Sequence, residues 1–289
     1  MNELIVEKAE ENLSAAEFLQ RRLPAAPPAY LKQLLKKGKI RGPRGALAAD
    51  DRLNLADRIQ LPDSGRLQEL QQIPLSAATE VSILYESREI LVVDKPAGLA
   101  IHASVGHEDD NLTSRVEALL KKRGSSFQVA PVHRLDLETS GPVLFGKGKQ
   151  ACGQLGQLFI RQEVDKCYLA LVVGMTPGSG ELQSQLSAKG KLKDARSRFR
   201  ACQRNEQASL LELTLLTGRQ HQIRRQLAEI GHPLFGDKRY QGPCPAELPR
   251  LFLHCSRLAF VDPFNAAPIA IDCPLPADLA QFLPRIGME

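Results

Sequence analysis

The sequence predicts an α+β protein built on a mixed, largely antiparallel sheet. Predicted strands outnumber predicted helices, and they do not alternate with helices in the regular way that produces a doubly wound parallel sheet. The length of 289 residues suits one large domain accompanied by a small one. We therefore predict a small N-terminal α/β domain at 1–61, a polar, proline-flanked linker at 62–79 and a larger domain at 80–289.

The first domain is predicted to contain two short helices followed by short strands. Apolar residues lie at close to helical spacing around a possible Ser14 cap, and the proline-rich run at 24–28 ends this helix. These apolar residues are Leu13, Ala16, Phe18, Leu19 and Leu23. A second helix is predicted over 29–37, and it stops at Gly38.

The larger domain is predicted to begin with two strands, at 81–85 and 89–93, which precede a Lys-Pro-Ala-Gly break at 95–98. The other predicted strands lie at 167–173, 195–204, 209–215, 251–261 and 269–271. Predicted helices cover 112–122, about 150–161, and a segment from about 219 to a stop at 231. Asn111 is the expected cap of the first of these helices, and Gly124 is its expected end.

Composition restricts the class of protein only slightly. A net charge of +5 suits a polyanionic partner without requiring one. The six cysteines include no C-x-x-C pair, so we expect reduced thiols rather than a zinc knuckle or a disulfide framework. The acidic start is unlike a secretory signal, and no apolar run is long enough to span a bilayer. We therefore expect a cytoplasmic protein that makes no membrane contact and acts as a monomer.

A run of basic residues without any acidic residue covers the second predicted helix and the segment after it. Its members are Lys32, Lys36, Lys37, Lys39, Arg41 and Arg44. A charge run is usually a solvated face, but the single sign and the helix-turn-strand context favour a surface that binds phosphate. The segment LKQLLKKGKI at 31–40, followed by 49–61, resembles the S-four-type (alpha-L) RNA-binding domain. The resemblance implies that these basic residues contact RNA.

The segment VHRLDLETSG at 132–141 places Asp136 where it could react. A carboxylate is a useful nucleophile only while it is ionised and partly desolvated, and His133 and Arg134 are expected to offset the cost of keeping it charged. The alternative is an ordinary turn, because Asp, Thr, Ser and Gly are typical loop residues. The segment alone does not decide between a nucleophile and a turn.

Three further segments contain candidate functional residues. Tyr168 opens an apolar strand, where a tyrosine is often a core residue with its hydroxyl at the rim. In LTGRQHQIR at 216–224, the start of the predicted helix and Arg219 together suit an anion, whereas Arg224 points elsewhere. The segment GHPLFGDKRY at 231–240 is expected to be a rigid structural turn.

A basic stripe is expected on one predicted strand. Arg196, Arg198, Arg200 and Arg204 would share one strand face, and they lie beside Lys189, Lys191 and Lys193. The stripe could hold phosphates, or it could be ordinary decoration of a solvated strand. The sequence leaves both interpretations open.

Five ordered segments together resemble the RluA-type pseudouridine synthase family over about 83–260. They are YES-x-x-ILVVDKPAGL, HRLD-x-x-TSG, K-x-Y-x-A, L-x-TGR-x-HQIR and GHPL-x-GD-x-x-Y. The resemblance implies a central RNA-binding cleft in which Asp136 is the catalytic nucleophile and Tyr168 stacks on the target base. It also implies that Arg224 forms an ion pair with Asp136 and keeps it ionised, since an opposite charge typically lowers a carboxylate pKa by about 1 to 3 units.

The same resemblance implies RNA as the partner, ribosomal RNA in preference to transfer RNA. Isomerising uridine to pseudouridine needs no redox change and no added group, so we expect no cofactor and no metal. Arg134 could fill the space that a flipped uridine vacates, or it could form a structural salt bridge. The RNA-binding residues implied are Arg134, Lys32, Lys36, Lys37, Lys39, Arg41, Arg196, Arg198 and Arg219.

Two other functions stay open at this point. The order Asp136-Leu137-Glu138-Thr139 approximates the nucleophile loop of an aspartyl-phosphate hydrolase, which would need a doubly wound sheet and magnesium. A non-catalytic RNA-binding protein is the second alternative, supported by the basic N-terminal domain. How Asp136 acts is also open, because it could attack the ribose anomeric carbon or assist departure of the uracil.

Overall fold

The structure is a computed structural model that describes residues 2–23, 26, 28–65, 67, 81–103, 110–125, 127–188 and 190–288. The chain forms two compact units. The first comprises Met1–Glu80 and His102–Arg115, and the second comprises Val81–Ile101 and Val116–Glu289. Most of the linker predicted at 62–79 lies outside the described residues.

The first unit contains two helices and a four-stranded sheet. The helices are α1 (Ala15–Arg22) and α2 (Pro28–Lys36), and the strands are β1 (Asn2–Ile5), β2 (Arg41–Gly42), β3 (Gly45–Ala46) and β4 (Arg58–Leu61). The strand order is β1-β4-β2-β3. Ser14 caps α1 as predicted, since its hydroxyl accepts from the Glu17 amide while the Glu17 carboxylate accepts from the Ser14 amide.

The second unit contains most of the remaining elements. Its strands are β5 (Ser82–Glu86), β6 (Ile90–Lys95), β7 (Val129–Pro131), β8 (Gly141–Lys147), β9 (Val164–Val173), β10 (Ser179–Ala188), β11 (Lys191–Arg204), β12 (Ala208–Leu215), β13 (Leu253–Val261) and β14 (Pro268–Asp272). The α-helices that follow α1 and α2 along the chain are α3 (Leu112–Lys122), α4 (Lys149–Ile160), α5 (Gln222–Glu229) and α6 (Ala277–Ala280). Within the described ranges, no helix is long and apolar enough to cross a membrane.

Two antiparallel sheets organise the second unit, which confirms the predicted α+β class. One has the order β10-β11-β12-β9-β13-β14, and the other has the order β5-β6-β8-β7. An aspartyl-phosphate hydrolase would need a doubly wound parallel sheet, so this architecture removes the structural basis for that alternative. The sheets meet where Ser140 bridges His254 and the Cys255 amide donates to the Ser140 carbonyl at 2.8 Å.

Several element boundaries differ from the prediction. The strands β1, β7, β8 and β10 were not predicted, and the helix expected from about 219 begins only at Gln222. The sequence of β10 is mostly polar, because this strand forms the edge of its sheet and one face meets solvent. The bounds of α3 agree with the prediction, and its Asn111 cap is present because the Asn111 side chain accepts from the Ser114 amide at 3.0 Å.

Gly141 allows the two sheets to approach each other closely. Its φ is +124°, and a Cβ atom there would lie 2.2 Å from the Cys255 carbonyl oxygen. Any side chain would therefore push β8 away from β13 or break the hydrogen bond between Cys255 and Ser140. Because Gly141 directly follows the loop that contains Asp136, its conformation also fixes the end of that loop.

We predict that Gly141→Ala destabilises the protein by about 3 kcal/mol or more, because it adds backbone strain to a clash with backbone atoms. The control is Gly124→Ala, where φ is +77° and no atom lies within 4 Å of the added Cβ. Strain alone should cost about 1 kcal/mol there. Urea unfolding of the two variants measures the difference, and equal losses would contradict the proposed packing constraint.

Candidate active site

A cavity of about 700 Å³ lies in the second unit and contains the three residues predicted to be catalytic. Asp136, Tyr168 and Arg224 all line it, as do Arg134, Arg196 and Arg219. Its walls come from the loop between β7 and β8, the start of β9, and the turn that leads into α5. The structure therefore brings together side chains that are up to 88 residues apart in the sequence, from 136 to 224.

The backbone of the Asp136 loop is fixed by a buried lysine. Lys95 is fully buried, and its ammonium donates to the carbonyls of Pro96 at 2.9 Å, Leu99 at 2.9 Å and Leu137 at 3.0 Å. Burial lowers the pKa of Lys95 to about 7, but three carbonyl acceptors match the three donors of the ammonium form. The segment at 95–98, predicted only as a break, thus holds the residue next to Asp136.

An arginine holds the other end of the same loop. Arg250 donates to the Glu138 carbonyl at 3.3 Å and to the Ser140 hydroxyl at 3.1 Å, while Asp278 accepts from its Nε at 2.5 Å. The Ser140 hydroxyl in turn donates to Nδ1 of His254 at 2.9 Å. Burial lowers the pKa of His254, which is therefore neutral and can accept this hydrogen bond at Nδ1.

Arg224 binds a carboxylate that the sequence prediction did not assign to the site. Its Nε and Nη2 each donate to Asp237 at 2.7 Å, whereas its Nη1 lies 3.8 Å from Oδ2 of Asp136. Asp237 is fully buried and also accepts from the amides of Arg239 and Tyr240. The segment at 231–240, predicted as a structural turn, therefore supplies the main partner of the predicted catalytic arginine.

His221 lines the cavity, although it was not among the predicted site residues. Its Nε2 lies 3.8 Å from Oδ2 of Asp136, and its Nδ1 lies 3.1 Å from the Tyr240 hydroxyl. Burial lowers the pKa of His221, while Asp136 acts in the opposite direction, so the imidazole is neutral at neutral pH. A histidine directly before a predicted helix in a polar turn was the available signal, but its distance to Asp136 depends on tertiary structure.

Tyr168 is buried and lines the cavity beside the Cys255 thiol. Burial raises the pKa of Tyr168 well above its ordinary value, and Cys255 and Asp136 act in the same direction. The phenol therefore keeps its proton at neutral pH. Its ring can offer an apolar surface in the cavity, although most of the side chain belongs to the packed interior.

His133 does not have the charge that was predicted for it. Its Nε2 accepts from the Leu144 amide at 3.0 Å, and its ring stacks on Phe159 with centroids 4.7 Å apart. Burial lowers the pKa of His133 to about 3, so the side chain is neutral. The expectation that His133 offsets the charge of Asp136 is therefore wrong. The positive charges in this part of the cavity belong to Arg224, which lies 3.8 Å from the Asp136 carboxylate, and to the exposed Arg134.

The basic stripe predicted on β11 is only partly present. Arg196, Arg198 and Arg200 are exposed and share a face, but Arg198 pairs with Glu181 at 2.7 Å and Arg200 pairs with Glu212 at 3.2 Å. A β-bulge shifts the register between Ala201 and Gln203, so that Arg204 pairs with Ser209 on the other face. The prediction that Arg204 shares the stripe is therefore wrong.

The anion site predicted at the start of the helix from about 219, which is α5, is also changed. The helix begins after His221, and the Arg219 amide donates to the Gln222 side chain at 3.0 Å. The Arg219 side chain donates from Nε to the Asp194 carbonyl at 3.0 Å. The Arg219 amide already has a hydrogen-bond acceptor and is not free to bind an anion. The Arg219 side chain still lines the cavity.

The basic residues of the first unit form a separate group. Lys32, Lys36, Lys37, Lys39, Arg41 and Arg44 are all exposed. They lie on α2, on the turn after it and on the hairpin formed by β2 and β3. Their exposure leaves them accessible to a polyanion, as the sequence predicts.

We predict that Asp237→Asn destabilises the protein by about 3 to 5 kcal/mol and lowers activity, because it leaves the buried Arg224 without its carboxylate. The matched control is Asp272→Asn, which removes an exposed ion pair with Arg257 at 3.4 Å and should cost at most about 1 kcal/mol. Urea unfolding gives both free energies. Comparable stabilities of the two variants would show that Asp237 does not carry this structural role.

The fold agrees with that of a known protein. The human protein "RNA Pseudouridylate Synthase Domain Containing 4" shares the fold, with a TM-score of 0.62 and 23% identity over 72% of this chain and 94% of that one. The sequence model of the RNA pseudouridylate synthase family matches residues 89–229.

Curated relatives match nearly the whole chain. The ribosomal large subunit pseudouridine synthase C of Vibrio cholerae is 30% identical over 292 residues, which cover 93% of this chain and 91% of that protein. The protein of the same name from Escherichia coli K12 is 30% identical over 298 residues, with 93% and 91% covered. The chain belongs to the RNA pseudouridylate synthase family, which confirms the predicted resemblance. It is accordingly an RNA pseudouridine synthase, an isomerase, and the non-catalytic alternative no longer applies.

Proposed function

We propose that this synthase modifies uridines of large-subunit ribosomal RNA, with Asp136 as its nucleophile and with the target base flipped into the cavity. The observation that carries the proposal is the position of Asp136. Its carboxylate is 19% exposed at the cavity, 3.8 Å from both Arg224 and His221, and its loop backbone is held by Lys95 and Arg250. Such a carboxylate is accessible to a substrate and is surrounded by groups that keep it in place.

The proposed isomerisation requires a nucleophile and uses no cofactor. Breaking the bond between the ribose anomeric carbon and N1 of uracil produces a sugar electrophile and a uracil anion. Attack by Asp136 on the anomeric carbon would hold the sugar as an ester while the base turns. Carbon 5 of the base would then displace the carboxylate, so the reaction uses no oxidant and no external group. The proposal therefore includes no metal and no cofactor.

The location of Asp136 inside a cavity supports the proposal of base flipping. A uridine stacked in an RNA helix could not bring its anomeric carbon to this carboxylate, and unstacking costs on the order of a few kcal/mol. The Tyr168 ring offers a surface against which the base can pack. Arg134 is exposed at the wall of the cavity, where it could occupy the space that the base leaves in the RNA.

Ribosomal RNA is favoured as the substrate for two reasons. The relatives from Vibrio cholerae and Escherichia coli are named as synthases of the large ribosomal subunit, and they match about nine tenths of their length. The exposed basic residues of the first unit supply a second surface for a structured RNA. We further propose a cytoplasmic monomer that contacts RNA through both units, with transfer RNA as the alternative substrate.

We predict that Asp136→Asn removes at least one pseudouridine from large-subunit ribosomal RNA. Pseudouridines are mapped in ribosomal and transfer RNA from cells that express the wild type, no enzyme, Asp136→Asn or the control Asp272→Asn. The purified Asp136→Asn enzyme should be slower by about 10³-fold or more, whereas the wild type should keep its activity in EDTA.

The pattern of lost sites identifies the substrate. If a pseudouridine disappears only from transfer RNA, the substrate is transfer RNA and not ribosomal RNA. If every pseudouridine persists in the Asp136→Asn cells while the deletion loses one, Asp136 is not the nucleophile. Loss of activity in EDTA would instead indicate a metal-dependent reaction.

We predict that the triple variant Lys36→Gln/Lys37→Gln/Lys39→Gln weakens RNA binding while leaving the chemical step intact. The KM for ribosomal RNA should rise by about tenfold, and the dependence of log KM on log salt should become shallower by about 2 to 3. The control Lys8→Gln/Lys121→Gln/Lys122→Gln removes the same charge from other exposed lysines. Identical KM values and salt slopes for the two triple variants would contradict a specific RNA-binding role for the basic residues between Lys32 and Arg44.

A further inference from the structure

We propose that His221 accepts the proton that leaves carbon 5 of the uracil, an inference that rests on the proposed function above. The family match and the names of the relatives identify the overall isomerisation but assign no group to this proton. His221 lines the same cavity as Asp136 and Tyr168, and its Nε2 is 3.8 Å from the proposed nucleophile. Because carbon 5 attacks the sugar held on Asp136 in the proposed reaction, a group at this position would lie next to the carbon that forms the new bond.

The proton balance of the reaction requires such an acceptor. When carbon 5 attacks the anomeric carbon, the new carbon–carbon bond forms and the bond to the Asp136 oxygen breaks, returning the electron pair to the carboxylate. Carbon 5 then bears both the ribose and its original hydrogen. An acceptor removes that hydrogen as a proton, the electron pair restores the ring double bond, and N1 gains a proton. The proton lost at carbon 5 and the proton gained at N1 balance.

The contacts of His221 leave Nε2 directed at the reaction site. The Nδ1 atom is 3.1 Å from the Tyr240 hydroxyl, so the ring is anchored on the side away from Asp136. In the tautomer whose Nδ1–H donates to the Tyr240 oxygen, Nε2 has a free lone pair. After Nε2 takes a proton, both ring nitrogens have an acceptor, the Tyr240 oxygen and the Asp136 carboxylate.

The surrounding charges suit a base that works late in the reaction. Four charged groups affect His221: Asp136 and Asp237 favour its protonated form, and Arg224 and Arg239 oppose it. While Asp136 is esterified it has no negative charge, so the imidazole stays neutral. Regeneration of the carboxylate 3.8 Å from Nε2 raises the proton affinity of His221 in the step that releases the carbon 5 proton.

Tyr168 is a competing acceptor in the cavity, and its environment disfavours that role. Burial raises the pKa of Tyr168, so a phenolate is rare at neutral pH. Burial lowers the pKa of His221, so its neutral, proton-accepting form predominates. Both residues line the cavity, but only the imidazole is already in the state that can take a proton.

The experiment follows carbon–nitrogen cleavage and carbon 5 deprotonation separately. The substrate is a large-subunit ribosomal RNA transcript that contains uridine tritiated at carbon 5, and release of tritium into water reports deprotonation. Nuclease digestion with mass spectrometry reports the loss of uridine at the target position. The enzymes compared under single-turnover conditions are the wild type, His221→Gln, Tyr240→Phe, Asp136→Asn and the control His232→Gln. His232 lies outside the cavity lining and contacts the Val173 carbonyl.

We expect His221→Gln to consume uridine at a rate within about threefold of the wild type, while tritium release slows by about 10² to 10⁴-fold. Tyr240→Phe should slow tritium release by about three- to tenfold, because the imidazolium loses one acceptor. His232→Gln should resemble the wild type in both readouts. If His221→Gln does not fold, the same split between the two readouts in Tyr240→Phe decides the question.

Two results would overturn the role of His221. One is wild-type tritium release by His221→Gln, and the other is an equal slowing of uridine loss and tritium release, which would make His221 a positioning residue for Asp136. The Asp136→Asn enzyme tests the proposed function independently. Tritium release by that variant at the wild-type rate would reject the nucleophile, whatever His221 does.

Discussion

The site depends on the buried ion pair between Arg224 and Asp237. A guanidinium that is taken out of water needs a carboxylate with good geometry, and Asp237 provides two hydrogen bonds of 2.7 Å. Because Asp237 occupies Nε and Nη2, only Nη1 faces Asp136, at 3.8 Å. Asp136 is thus close to a positive charge without being held in a bidentate pair. The nucleophilic role proposed for Asp136 needs this combination, since a carboxylate with both oxygens occupied would have to break strong hydrogen bonds before attacking carbon.

The position of Asp136 is set by groups that contact its loop rather than its carboxylate. Lys95 and Gly98 both donate to the Leu137 carbonyl, and Arg250 donates to the Glu138 carbonyl. Gly141 then lets the strand after the loop pack directly against Cys255. Backbone contacts fix the loop while leaving the carboxylate oxygens accessible from the cavity. The three carbonyl contacts of Lys95 offset the desolvation cost of burying its charge.

Signals from neighbouring residues correctly predicted helix caps and helix bounds. Burial explains most of the differences between the predicted and the observed side-chain roles. The Ser14 and Asn111 caps and the bounds of α3 follow from neighbouring residues. The Asp136, Tyr168 and Arg224 cluster was predicted through motif resemblance, because no periodicity reveals that residues so far apart share a cavity.

The neutral state of His133 and the role of Asp237 could not be predicted from the sequence. The first depends on packing against Phe159, and the second depends on the fold that brings Asp237 to Arg224. The face of Arg204 was mispredicted because a single bulged residue reverses the alternation of a strand, and the sequence contained no marker for it.

Of the three titratable residues around Asp136, Arg224 is a cation, whereas His221 and Tyr168 are neutral. Burial keeps His221 and Tyr168 neutral, whereas Asp237 keeps Arg224 charged. In the proposed reaction, Asp136 loses its negative charge when it becomes an ester, and the uracil gains one as it departs. The Nη1 group that faced the carboxylate is then available to the uracil anion without any movement of Arg224. A second cation in place of His221 would hold that anion more strongly and slow the turn of the base, so neutrality at 221 is as important to the mechanism as charge at 224.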